Sequence, residues 1–404
     1  MSDDRTQGWL SAAEAAEQLG VKVETVYAYV SRGLLARRRD DARGFSALEV
    51  GRLAARGRRK TGARAEAAPL EVLSELTELG PDRLLYRGRD AIALAAELRF
   101  ERLAEWLWAS GESSAAFIAP RAAVALSAAV SGGLPEAALP LDRLRVIAAV
   151  LGSSDALRFD VSAGAAIATA RTLIAGMVES LPRALQRADK RAQVESLSQR
   201  LWTRLSPLAP EPARVLALDF ALGLCADHAL SPSTLAARIA ASQRADPYSV
   251  VQTGLGALGG SLHGPASLAA EELLREVEAG ADPSVVIGQR LRRGERIAGF
   301  GHAQHSGGDP RAKALLERVQ TTFANQRGAH AARDVERVMR ERGLPAPNID
   351  FALASLARAG RMIHGASEAI MAIARSAGFV AHALEEYRRP TAFPWRALYV
   401  GAHE

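Results

Sequence analysis

The sequence predicts an all-α protein in which a long helical body follows a small helical module. Three observations carry this. Apolar residues recur at helical spacing in segment after segment: DAIALAAELRFERLAEWLW, PLDRLRVIAAVLG, GAAIATARTLIAGMVESL, PARVLALDFALGLCADHAL and ASEAIMAIARSAGFVAHALEEY. The breaks between these segments fall at Gly, Pro and Ser-Pro, the residues that close or open helices. Alternating apolar and polar residues, which mark half-buried strands, are nearly absent.

At 404 residues, 48% of them hydrophobic, the chain can form two or three domains around a substantial core. No apolar run reaches the roughly 18–20 residues that a membrane-spanning helix needs, and MSDDRTQGWL lacks the apolar centre of a signal peptide, so a cytoplasmic protein is expected. The single cysteine, Cys225, excludes an internal disulfide and a cysteine-clustered zinc site. Net charge is only +6, yet residues 32–64 hold eleven Lys/Arg against three acids, so the basicity belongs to the N-terminus.

That N-terminal segment reads as a helix-turn-helix. In WLSAAEAAEQLGVKVETVYAYVSRGLL, Ser11 caps a first helix with Glu14 completing a capping box, Gly20 ends it, and a second helix begins after Val21. Ala15, Ala16, Leu19, Val26 and Val30 would form the seam between the two helices. Lys22, Thr25 and Tyr27 then lie where a recognition helix meets a DNA groove, and Arg32, Arg37 and Arg38 supply phosphate contacts. Over Trp9 to Lys60 the segment resembles the winged helix-turn-helix of the MerR and excisionase type. The expected domain is 1–62, followed by a linker at 63–78; TGARAEAAPLEVLSE, residues 61–75, spans the boundary.

Four stretches of the helical body carry polar groups that its helices do not need. CADHALSPS contains Asp227 and His228; GLGALGGSLHGPA places His263 between a glycine-rich segment and a helix; GFGHAQHSGGDPRA holds His302, His305, Asp309 and Arg311; and PAPNIDFALASLARAG with AIARSAGFVAHALEEY supplies Asp350 and Arg375. A lone histidine on an apolar helix is usually a hydrogen-bonded core residue. Histidines flanked by glycine, together with an aspartate and two separate arginines, form a set that structure alone rarely demands. Glycines admit close backbone approach, and a helix N-terminus favours a ligand's negative charge. No metal is expected, because no short His/carboxylate spacing places ligands on one helical face, and His302 and His305 lie in a glycine-rich loop.

In order and wording, LHGPA, GFGHAQHSGGDPRA, PNID and IARSAGFVAHALEEY resemble the sequence blocks of citrate synthases, and LLYRGRDAIALAAELRFERLAEWLW is similar to that family's opening. The resemblance covers about residues 79–404. It implies an all-α homodimer with a large domain (79–264 and 371–404) and a small one (265–370) that close over the substrates. The implied reaction condenses acetyl-CoA, or another short acyl-CoA, with oxaloacetate or a related 2-oxo acid, then hydrolyses the thioester; no cofactor is implied. By motif position, Asp350 is the base, His263 stabilises the enolate oxygen and His302 polarises the ketone. Arg311, Arg375 and Arg396 match cations for the substrate carboxylates, and His228 matches a further substrate-contacting histidine.

Several positions depart from the family pattern. Ala229 and Ser231 replace a usual Glu and Asn, Pro265 a common glycine, Ser306 an arginine that helps hold CoA, and Pro394 an arginine that reaches a carboxylate in the partner subunit. With that cation missing, the preferred 2-oxo acid need not be oxaloacetate. The alternative function is a DNA-binding transcription regulator whose synthase-like part senses a metabolite.

Overall fold

The computed structural model describes residues 9–37, 44–46, 49–50, 53, 72–80, 83–111, 116–185, 196–261, 265–302, 305 and 307–389. They divide between Val72 and Leu73 into two compact units.

In the first unit, β1 (Trp9–Leu10) pairs antiparallel with β2 (Phe45–Ser46), and α1 (Ala12–Leu19) and α2 (Val23–Ser31) lie between them in sequence. The capping box forms as its residues dictate: Glu14 N–H donates to Ser11 Oγ at 3.2 Å, and Ser11 N–H donates to Glu14 Oε2 at 2.7 Å. Gly20 closes α1 at φ +65°, a conformation that costs a glycine little. Ala15, Ala16, Val26, Leu35, Phe45 and Val50 make a small core, with Leu19 and Val30 packed against it.

The second unit opens with a three-stranded antiparallel meander, β3 (Thr77–Leu79), β4 (Leu84–Tyr86) and β5 (Arg89–Asp90). This small sheet was not evident in the sequence, because strands of two or three residues are too short to show an alternation. The helices α3 (Ala91–Glu97), α4 (Phe100–Trp108), α5 (Arg121–Gly132), α6 (Pro140–Ser153), α7 (Ala163–Ser180), α8 (Leu197–Leu205) and α9 (Pro212–Cys225) follow. Then come α10 (Pro232–Ser242), α11 (Pro247–Leu258), α12 (Pro265–Glu278), α13 (Pro283–Arg292), α14 (Pro310–Thr322), α15 (Arg327–Glu341), α16 (Ile349–Ala359) and α17 (Ala366–Arg388). Among the described residues no helix is long and apolar enough to cross a membrane.

Nearly all of α17 is buried, and it packs against α4, α6, α7, α9, α10, α11, α12 and α16. Small and apolar residues dominate the helix, which suits it to a core position, and the alanines and glycine of AIMAIARSAGFVAHA let neighbours approach closely. At Gly378 a Cβ would stand 2.4 Å from the Ala226 carbonyl oxygen, so the turn that ends α9 rests directly on this helix. Gly378 N–H donates to that same oxygen at 3.0 Å. The segment from Cys225 to Ser231 is thereby fixed against the face of α17 that carries Arg375.

Candidate active site

Three helix starts build the site. Ser231 caps α10, Asp309 caps α14 and Asn348 caps α16, each accepting a backbone N–H with its side-chain oxygen. Residues from all three first turns line one cavity of about 160 Å³, together with His228, His302, Glu368, Met371 and Arg375. At about 30 Å³ per water that is space for roughly five waters, the scale of a small organic acid. Helix N-termini carry partial positive charge, so the cavity is set up for an anion before its arginines are counted.

Asp309 joins two of these helices. It accepts from Arg311 through the backbone N–H (3.0 Å), Nε (3.0 Å) and Nη2 (2.8 Å), and from Ile349 N–H at 3.1 Å. Burial pushes its carboxyl up, but the adjacent Arg311 outweighs this and holds it below the usual carboxylate range. The Asp-Pro-Arg turn thus aims Arg311 by a bidentate pair inside the protein. Arg375 has a different environment: its Nε donates to the Cys225 carbonyl at 3.0 Å, and Nη1 reaches Ser231 Oγ at 3.4 Å. Its guanidinium is buried without a carboxylate in salt-bridge contact among the described residues.

The loop carrying His302 is bound to the approach of α16. Gly301 N–H donates to the Ala346 carbonyl (2.8 Å), Asn348 N–H to the Gly299 carbonyl (2.9 Å), and Asn348 Nδ2 to the Gly301 carbonyl (2.9 Å). Gly299, at φ +82°, lies so near α16 that a Cβ would fall 2.7 Å from Phe351 Cβ. The GFG segment is therefore a pinned turn, and it leads into His302, which lines the same cavity as Asp350. Burial pushes the Asp350 carboxyl up to about 6; Arg311 and Arg375 pull it down and Asp309 pushes it up again. Burial also lowers His302, and Arg311 and His305 add to that effect. His302 Nδ1 accepts the His305 N–H at 3.3 Å, which assigns the ring's own proton to Nε2.

His228 meets this group from the other side. Its ring centroid lies 5.5 Å from His302 and 6.4 Å from His305, and those two rings are 4.5 Å apart. Linear spacing gave no hint of a three-imidazole cluster, because His228 and His302 lie 74 positions apart. Asp227, next in the chain, is buried against His382 (3.3 Å) and accepts Ala229 N–H at 3.0 Å. Ala229 adopts φ +49° there, a strained conformation for alanine that turns the chain from His228 into α10.

The cavity thus gathers His228, His302, Asp350, Arg311 and Arg375. His263, Arg396, Ser306 and Pro394 lie outside the described residues, as does Arg38. In the first unit, Lys22 caps α2, Thr25 and Tyr27 lie on that helix, Arg32 ends it, and Arg37 bridges to Phe45 with its guanidinium 5.2 Å from the Tyr27 ring centroid. Sequence reasoning missed Glu368, which is 4% exposed and lines the cavity seven residues before Arg375 on α17. Burial and the neighbouring Glu271 and Asp142 raise its carboxyl to about 7. Its helical spacing from Arg375 was the available signal. A second cavity, about 540 Å³, adjoins at His302 and is lined by Arg296, Ile297, Phe300, Gly301, Met339 and Leu344 among others.

A model of the citrate synthase C-terminal domain matches residues 69–396. The chain belongs to the citrate synthase family. A citrate synthase of Haloferax volcanii is 36% identical over 197 residues, 47% of this chain and 52% of that protein, so the match spans about half the relative's length. One from Synechocystis sp. is 30% identical over 285 residues, covering 67% of this chain and 70% of that one. Among solved structures, the citrate synthase of Thermoplasma acidophilum, in ternary complex with carboxymethyl coenzyme A and oxaloacetate, aligns with a TM-score of 0.66 at 21% identity over 82% of this chain and 94% of that one. The mostly helical second unit has the citrate synthase fold.

Proposed function

We propose that the protein condenses acetyl-CoA, or another short acyl-CoA, with oxaloacetate or a closely related 2-oxo acid, and then hydrolyses the thioester to release CoA. The observation that carries this is the convergence of Asp350, His302, His228, Arg311 and Arg375 on one anion-favouring cavity. The Asp350 carboxylate takes a proton from the acyl α-carbon; a raised value near 6 makes it a stronger base than an ordinary aspartate yet leaves it ionised at neutral pH. The resulting enol carbon attacks the ketone of the 2-oxo acid. Neutral His302 donates through Nε2 to the ketone oxygen as that oxygen gains charge. Arg311 and Arg375 hold the acid's carboxylates. His263 is assigned to the thioester oxygen by its place in the sequence alone. The second cavity meets the first at His302, which suits a long thioester arriving from that side. The Thermoplasma relative was captured with an oxo acid and a CoA analogue together, which supports the same pair of ligands here.

The test is release of free thiol when the protein is mixed with acetyl- or propionyl-CoA and a panel of 2-oxo acids. Release that needs both substrates is expected; none with any pair would refute the reading.

A second reading concerns the first unit, whose two helices are followed by the strongly basic stretch that begins at Arg32 and whose Arg37 bridges to Phe45. We propose that it binds DNA with Lys22, Thr25 and Tyr27 on or at α2 and with Arg32, Arg37 and Arg38. Retention on duplex DNA at low salt, weakening steeply as salt rises, is expected. Passage of the protein through such a column without delay would dismiss this role.

A further inference from the structure

His228, His302 and His305 present ligand nitrogens that all lie within 4.8 Å of one another. We propose that these three imidazoles form a binding site for a divalent transition-metal ion, Zn²⁺ being the best fit, and that the bound ion closes the pocket to the 2-oxo acid. The closing effect rests on the function proposed above; the binding does not.

Geometry comes first. Zinc takes nitrogen ligands at about 2.0–2.1 Å in a tetrahedron, so its ligands stand roughly 3.4 Å apart. Rotation of rings already in contact supplies the needed approach. The buried Nε2 of His228 meets no hydrogen-bond partner among the described residues, so a ligand there relieves an unsatisfied polar atom. His302 follows Gly301, which hydrogen bonds hold to Ala346 and Asn348, and His302 Nδ1 accepts the His305 N–H.

Chemistry selects the ion. Three imidazoles suit Zn²⁺, Cu²⁺ and Ni²⁺ and are poor ligands for Mg²⁺ and Ca²⁺, which require oxygen. Metal binding needs neutral rings, and Arg311 and Arg375 line the same cavity. Those two arginines repel a dication, but Arg311 is paired with Asp309, while Asp227 and Asp350 lie close by. Three protein ligands leave a fourth position for water. The ion would occupy the place of the ketone and take the ring that should donate to it.

The test is calorimetric titration of the untagged, chelator-treated full chain with ZnCl₂, with Co²⁺ as a spectroscopic probe and Mg²⁺ as the control. One Zn²⁺ per chain, tetrahedral Co²⁺ absorption and no Mg²⁺ heat are expected. His305→Gln should weaken Zn²⁺ binding by at least about tenfold, and in chelator it should keep thiol release while shifting Zn²⁺ inhibition to higher concentration. His228→Asn, checked for helicity, should weaken binding in the same way if His305→Gln misfolds. Zinc bound no better by the parent than by both variants would overturn the proposal and leave the condensation untouched. Histidine-dependent Zn²⁺ binding by a protein that releases no thiol would instead uphold the site and sink the catalytic reading.

Discussion

The Asp350 carboxyl sits at the start of α16, its N–H held by Asn348 and its charge set between burial and two guanidinium groups. Protonation disables a base, so kcat/KM should fall about tenfold per pH unit below a value near 6, while the neutral range stays flat on the acid side. Asp350→Asn should lower kcat by about 10²–10⁴ with little change in 2-oxo acid binding, as read by steady-state kinetics and calorimetry. Glu368 invites a stability measurement. Its folded value near 7 lies above the ordinary 4.5, so the ionised form costs stability above pH 7, and that cost fades as pH falls toward 4.5. Glu271 and Asp142 push it up, whereas Arg145 and His364 pull it down. Glu368→Gln should therefore stabilise the protein by about 3 kcal/mol at pH 8 and by far less at pH 5, measured by urea unfolding. At this scale the sequence showed the histidines, the arginines and Asp350 because each stands in a polar block that an apolar helix does not need. Glu368 and His305 were not assigned roles: one is a single polar residue on a core helix, and the other gains its neighbour His228 only through folding.

Among the elements, the loop around His302 and the start of α16 behave as one part. Asn348 caps the helix through Oδ1 and grips the Gly301 carbonyl through Nδ2. Asn348→Ala should cost about 1–2 kcal/mol of stability. It should also lower kcat although Asp350 and His302 both remain, since their separation is no longer fixed; kcat and urea midpoint read the two effects. The helices themselves were legible, with caps and prolines marking many of their starts, as at Ser231-Pro232 and Asp309-Pro310. Their packing was not. That Gly299 presses on Phe351, or Gly378 on Ala226, depends on pairs of elements far apart in the chain, and a glycine read alone suggests freedom rather than close contact. The short meander at 77–90 escaped for want of length.

For the molecule as a whole, the described residues divide into a small first unit and a mostly helical second unit. Family membership followed from the order of the motifs along the second unit. The identity of the 2-oxo acid did not, because Pro394 and Arg396 fall outside the described residues. One measurement addresses the convergence of the site directly: a crystal structure of the full chain soaked with oxaloacetate and a non-hydrolysable acyl-CoA analogue. The expected result has carboxylate oxygens on Arg311 and Arg375, the ketone oxygen within hydrogen-bond reach of His302, and the acyl carbon beside Asp350. An oxo acid bound elsewhere, or an acyl carbon facing away from Asp350, would contradict the assignment of this cavity as the condensing site.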